Sequence, residues 1–379
     1  MKKSRRNFLG KLGLGLATGL GLGYKGIAKD HSQTEDTMNQ QHPVISTQAL
    51  GFQWQTADPF LFCVHHDDKF PKGMPNLGPE PRLLQGRNIG QDFLIKDGWR
   101  MYHGETVPGF PGHPHRGFET ITMVRKGWVD HADSLGGSGR YGNGDVQWMT
   151  AGKGIQHSEM FPLLDQEKGN PMELFQIWLN LPKKSKMVNA YYKMLWGEEV
   201  PQLTFEDEQG NSTLVEVIAG QLGEHRAPAP PPDSWAADPD NQVAVWNIRM
   251  DPNATWKIPA TLMGINRTLY FYEGEELSIK GKAIAPYHAV QVHPDQELLL
   301  EAGKDGANIL MLQGRPINEP VVQHGPFVMN TRQEIQQAFA EFQQTRFGGW
   351  PWSRYDQVHD HQVGRFAKYG DGREEIKQG

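Results

Sequence analysis

Four side chains in one stretch of the chain have the types and spacing that hold a metal ion. The segment 109–160 carries His113-Pro114-His115 and, 42 residues after His115, His157-Ser158-Glu159. In an extended chain residues i and i+2 point to the same face, so His113 projects with His115 and His157 with Glu159. Brought together by a small barrel, the two pairs make a site of three imidazoles and one carboxylate. Imidazole and carboxylate suit a borderline first-row divalent metal, and no thiolate is at hand to close a structural zinc site. Octahedral coordination then leaves two positions open, for a substrate and O2. Trp148 and Met149 precede the second pair as candidate pocket-wall residues, and strand alternation lets only one of them face inward.

Positioning such pairs is work for strands, and the sequence reads as strand-rich. Gly makes up 43 of 379 residues, about 11%, and with 26 Pro it punctuates short apolar runs, the pattern of a turn-rich β protein. From Leu50 to about Pro182 the runs include 60–64, 120–124 and 174–181; a second block from about Leu214 to Leu312 includes 215–218 and 309–312. Residues 183–200 read as a connecting segment with a helical turn, and the Pro-rich stretch 224–241 as a loop within the second block. Near the end, Asn330 reads as an N-cap with Gln333 at the third helical position. Ile335, Ala338, Phe339 and Phe342 then give an amphipathic helix one buried face. Residues 348–379 form a mixed, aromatic tail.

Composition excludes other classes. Lys+Arg is 38 and Asp+Glu 44, a net charge of −6, which offers no basic field for nucleic acid. No stretch is long and apolar enough for a convincing membrane span. The one cysteine, Cys63, excludes an intrachain disulfide framework. It sits in the apolar run FLFCV and reads as a buried strand residue rather than a nucleophile with His65 and His66. His288, His293 and His324 do not recreate the paired pattern, and the pair His359/His361 lies in the tail without a second pair.

The first residues read as an address. Lys2, Lys3, Arg5 and Arg6 precede a short, Gly-rich, mildly apolar run, and Gly26-Ile27-Ala28 offers a cleavage site. Ser4-Arg5-Arg6-Asn7-Phe8-Leu9 resembles the twin-arginine export signal. The resemblance implies export in the folded state by the twin-arginine translocase, to the periplasm or an equivalent compartment. Residues 1–28 are then a signal peptide and 29–48 a polar tether. Removing 1–28 takes away six cations and no acids, so the remaining body has a charge of 32 − 44 = −12.

The order His-x-His, a hairpin with Gly-Asp, then Gly-x-x-His resembles the two cupin motifs, but Glu159 stands where a cupin usually has no carboxylate. The segments HPHRGFETIT, DSLGGSGRYGNGDVQWMTAGKGIQHSEM, ELFQIWLNLP and EPVVQHGPFVMNTRQEIQQAF resemble the pirin family over about 50–345. The resemblance implies an all-β bicupin: two antiparallel jelly-roll barrels plus a C-terminal helix. The metal-binding cupin would span 49–182 and the second, metal-free one 201–347, with HGPFVMN (324–330) joining barrel to helix. It implies Fe2+ held by His113, His115, His157 and Glu159, with Glu119 not a ligand; Mn, Ni, Cu or Zn suit the same donors. Residues 67–112 are longer than in short family members. The implied activity is a quercetin 2,3-dioxygenase-type ring opening of an aromatic, enolisable substrate with O2. On its chemistry Glu159 is also a candidate to receive the substrate hydroxyl proton, as a ligand that becomes a base. The alternative is a non-catalytic, iron-binding, redox-sensing interaction protein.

Overall fold

The computed structural model describes residues 42–378, so the expected signal peptide and most of the expected tether lie outside the described residues. The described residues are mostly β. Their strands are β1 (Val44–Ala49), β2 (Phe60–Phe70), β3 (Gly109–His115), β4 (Phe118–Lys126), β5 (Trp128–Asp133), β6 (Ser138–Gly142), β7 (Val146–Thr150), β8 (Ile155–Met160), β9 (Asn170–Asn180) and β10 (Tyr191–Leu195). A second set of antiparallel strands runs from Gln202 to Gly314, followed by the helix Arg332–Thr345.

In the first half, β10-β7-β4-β9-β2 form one sheet and β6-β5-β8-β3 the other, both antiparallel. This is the jelly-roll arrangement, with alternate residues of each strand turned inward. The second half repeats the plan: a seven-stranded sheet faces a four-stranded one, around a core that includes Trp246, Ile248, Leu269, Phe271 and Ile309. The large sheets of the two halves pack on each other. Ile121, Met123, Trp148, Phe175 and Ile177 of the first meet Tyr270, Tyr272, Leu310 and Leu312 of the second. Trp148 thus belongs to the join between the barrels, and Met149, next along β7, turns the other way onto Ala151 and Ile155. Cys63 is fully buried in the same join. Among the described residues no helix is long and apolar enough to cross a membrane.

The architecture is the expected all-β bicupin with a C-terminal helix, but several segment boundaries differ. Residues 44–48 of the expected tether belong to β1, which pairs with the strand His288–Val292 of the second barrel. Its alternation is hard to read because five of its six residues are exposed; the pairing partner is distant in sequence. The connecting segment 183–200 contains β10, which extends the first barrel by pairing with β7. Tyr192 and Met194 point inward there while Tyr191 and Lys193 mask the period with polarity. The helix cap is Thr331 rather than Asn330. Thr331 Oγ1 accepts from Glu334 N at 3.2 Å and the Glu334 carboxylate accepts from Thr331 N at 2.8 Å, a reciprocal capping box one residue later than expected. Asn330 instead donates to Glu319 and to the Pro320 carbonyl. Of the helix residues expected inside, Ile335, Ala338 and Phe342 are buried, and Phe339 lies half-buried against Phe327. The tail wraps back: Arg365–Lys368 pairs with β6, and Glu374–Lys377 pairs with Arg365–Lys368.

Candidate metal centre

β3 and β8 pair so that His113 stands directly opposite His157. A bulge between Phe110 and His113 shifts the register and sets both histidines of β3 on the barrel side; bulges commonly re-aim side chains at functional sites. The ring centroids of His113, His115 and His157 lie 4.5 to 4.9 Å apart. One ring nitrogen from each falls within 4.8 Å of the other two. Metal–imidazole bonds of about 2.1 Å hold donors at most about 4 Å apart, so a small rotation of the rings closes the triad on one ion.

Glu159, two residues beyond His157, borders the triad, with Oε2 3.8 Å from His157 Nε2. Its carboxylate is held from the facing sheet. Gln176 Nε2 donates to Oε2 at 3.0 Å. Thr122 Oγ1 lies 2.9 Å from Glu159 Oε1 and 2.5 Å from Gln176 Oε1, and its single proton serves one of them at a time. Thr122 and Gln176 are themselves cross-strand neighbours.

Burial sets the protonation states. It lowers the His113 pKa to about 4 and pushes His115 and His157 well below the ordinary histidine range. All three rings are therefore neutral near pH 7, the form that donates to metals. Burial raises the Glu159 pKa, against the hydrogen bond from Thr122. His113 Nδ1 sits 3.0 Å from the Pro111 carbonyl, which fixes the proton there and leaves Nε2 free to ligate. His157 is completely buried, yet neither of its ring nitrogens has a hydrogen-bond partner. Such a buried, unpaired group costs about 1–3 kcal/mol, and a bound cation would give its lone pair a partner. Three neutral nitrogen donors and one carboxylate fit a first-row divalent ion.

Aromatic rings surround the triad. Phe118 and Trp178 pack edge-on to His115 at 5.0 and 5.3 Å, and Phe110 approaches His113 at 6.3 Å. Phe110 in turn meets Phe93 and His103, which come from the long 67–112 segment. The same segment buries Arg100 against Asp68 at 2.9 and 3.0 Å, with the Tyr102 hydroxyl on Asp68 and on His66. His66 is thereby part of a buried network, and burial holds its pKa at about 3. His65 bonds Glu173 and stacks on Phe175.

The remaining candidates fall elsewhere. Glu119 lies on the opposite face of β4 from Thr122, where it accepts from Thr150 and from Ser234 of the Pro-rich loop. His359 and His361 each turn Nε2 to a backbone carbonyl, of His131 and Leu164. The sequence reading missed His131. It is completely buried, stacks on Tyr192, bonds Asp133 at 3.1 Å and lies 5.7 Å from the His157 ring. The signal was His131-x-Asp133 in one strand: these residues stand directly across from Glu159 and His157.

Residues 44–179 match the Pirin family model, and residues 245–348 match the model for the Pirin C-terminal cupin domain. A Pseudomonas aeruginosa protein named "putative quercetin 2,3-dioxygenase" is 38% identical over 269 residues, 70% of this chain and 87% of that protein. Human pirin is 33% identical over 262 residues, 68% of this chain and 82% of its own length. Among solved structures, a quercetin 2,3-dioxygenase from Acinetobacter baumannii superposes with a TM-score of 0.61 at 26% identity. The match covers 81% of this chain and 96% of that one.

Proposed function

As the chain belongs to the pirin family, we propose that it is a metal-dependent dioxygenase of the quercetin 2,3-dioxygenase type. It would open a flavonol or a similar enolisable aromatic ring with O2. The observation that carries this reading is the neutral triad of half-buried His113 and buried His115 and His157, with the His157 ring unpartnered and Glu159 beside it. These four residues would hold the ion, iron or another first-row divalent metal. When bound, the ion supplies Lewis acidity toward a substrate oxygen and one-electron chemistry with O2.

The chain's own groups account for the rest. Phe110 and Trp178, the latter backed by the fully buried Phe118, offer apolar surface to a flat aromatic substrate. Glu159 takes the substrate hydroxyl proton. Burial raises its pKa, which makes it a stronger base than an exposed carboxylate. With the proton on Oε1, Glu159 donates to Thr122 Oγ1, and the Thr122 hydroxyl turns its own proton to Gln176 Oε1 at 2.5 Å. With Glu159 ionised, Thr122 donates back to it. One hydroxyl rotation therefore accommodates both states.

The test is turnover of quercetin by the iron-loaded protein, followed as quercetin loss, oxygen uptake and carbon monoxide release. His115→Ala is expected to lose both metal and turnover. A wild type that binds metal in a His115-dependent way but turns over no flavonol would leave a binding protein instead. Gln176→Leu keeps the fold and removes a donor to Glu159, so metal affinity should fall about 10–100-fold in competition titrations; unchanged affinity would remove Gln176 from the account.

We further propose export by the twin-arginine route, on the motif at 4–9. Copper and zinc outcompete iron at nitrogen and oxygen sites on affinity alone, so folding around the weaker binder before export would preserve it. Arg5→Lys/Arg6→Lys should trap the precursor inside the cell; normal export of that variant counts against the route.

A further inference from the structure

The C-terminal tail lies against the sheet that presents the triad, on the face opposite the ligands. Strand alternation turns His157 and Glu159 of β8 inward and their neighbour Gln156 outward. Gln156 Nε2 reaches the carbonyls of Arg346 and Gly349, both at 2.7 Å. Trp350 and Tyr355 stack at 5.4 Å with planes 5° apart. They cover Gly112, where a Cβ would stand 2.6 Å from the Tyr355 ring. The Gly112 N–H donates to the Tyr355 carbonyl at 2.7 Å. Trp352 Nε1 donates to the Asp133 carbonyl at 2.8 Å, and His359 Nε2 to that of His131 at 3.0 Å. Arg140, buried on Asp130, holds the carbonyls of His359, Asp360 and Val363.

These contacts fall beside the ligands. Gly112 adjoins His113 and Gln156 adjoins His157, while Asp133 and His131 stand across from His157 and Glu159. The strand most in need of support is β3. It carries His113 and His115, sits at the sheet edge with β8 as its partner, and contains a bulge and two prolines that cannot donate. An edge strand of this kind is where a sheet opens first, and lifting β3 would remove two ligands at once. Both matched family segments end at or before residue 348.

We propose that residues 349–364 are a retaining strap that holds β3 onto the ligand sheet and so sets how slowly the metal leaves. The inference rests on the proposed metal site. Its test loads the full chain with Co2+, a visible first-row probe, and follows transfer to excess EDTA well below the unfolding temperature. Trp350→Ala/Tyr355→Ala removes the cover over Gly112; Trp352→Phe removes one hydrogen bond and little volume. The double variant should release Co2+ about 10-fold faster or more, in line with the loss of groups that hold ligands in place, and Trp352→Phe less. A role in global stability alone would lower the unfolding midpoint and leave release unchanged. If limited proteolysis shows the strap lifted while release stays at the wild-type rate, the strap role is overturned. If the double variant does not fold, unchanged release in Trp352→Phe overturns it. A wild type that takes up no Co2+ overturns the metal reading and the strap together. Uptake abolished by His115→Ala, with release unaltered in the strap variants, overturns the strap alone.

Discussion

His157→Leu is expected to abolish metal binding and, in the absence of metal, to make the protein more stable. Leucine matches histidine in size and carries no polar atom. The wild-type ring is fully buried with both nitrogens unpartnered. Removing that unpaired group should relieve about 1–3 kcal/mol, visible as a higher urea midpoint for metal-free variant than for metal-free wild type. Metal should reverse the order. An ion at 100 times its Kd stabilises the wild type by about 2.7 kcal/mol, while the variant, left with two imidazoles of the triad, gains nothing. The two effects have opposite signs, which separates a ligand from an ordinary core histidine. A core histidine replaced by leucine loses hydrogen bonds and stability under both conditions. Lower stability of metal-free His157→Leu would sink the claim that the ring is unsatisfied; stoichiometric metal in the variant would sink its role as a ligand.

This behaviour also explains why the site was easier to read than the elements around it. That His113 projects with His115 and His157 with Glu159 was legible because i, i+2 pairing in a strand is a local rule and needs no knowledge of what packs nearby. The groups that orient Glu159 were not. Thr122 and Gln176 come from two strands of the facing sheet, and only the barrel's closure brings them to the carboxylate. His131 lay within the informative stretch but without a second histidine two residues away. Its place beside the triad depends on the β5–β8 register. The same reason accounts for β1 and the tail: each gains its structure from pairing with a distant strand, and neither carries an apolar alternation strong enough to announce it. Met149 and Trp148 illustrate the limit of the local rule. Alternation required that one face inward, but which one was set by the second barrel, whose Tyr270 and Leu310 share a core with Trp148.

Glu119 gives the largest expected pH effect, and it lies at that join rather than at the metal centre. Its carboxyl is completely buried. Burial, against hydrogen bonds from Ser234 and Thr150, raises its pKa from 4.5 to about 7. Between pH 4.5 and 7 the folded protein therefore holds a proton that the unfolded chain has lost. Stability falls as pH rises through that window and levels off above it. The displacement corresponds to about 3 kcal/mol. Glu119→Gln cannot ionise, and the hydroxyls of Ser234 and Thr150 rotate to suit an amide. The variant should match the wild type near pH 4.5 and exceed it by about 2–3 kcal/mol at pH 8, measured as urea midpoints at both values. Ser234 sits in the Pro-rich loop of the second half, so the neutral carboxyl ties that loop to β4. Ionisation would leave a buried charge at the tie, and the loop's amide protection, relative to the intrinsic exchange rate at each pH, should fall as pH rises in the wild type and stay level in the variant. Parallel stability profiles for the two proteins would show that Glu119 stays ionised in the fold.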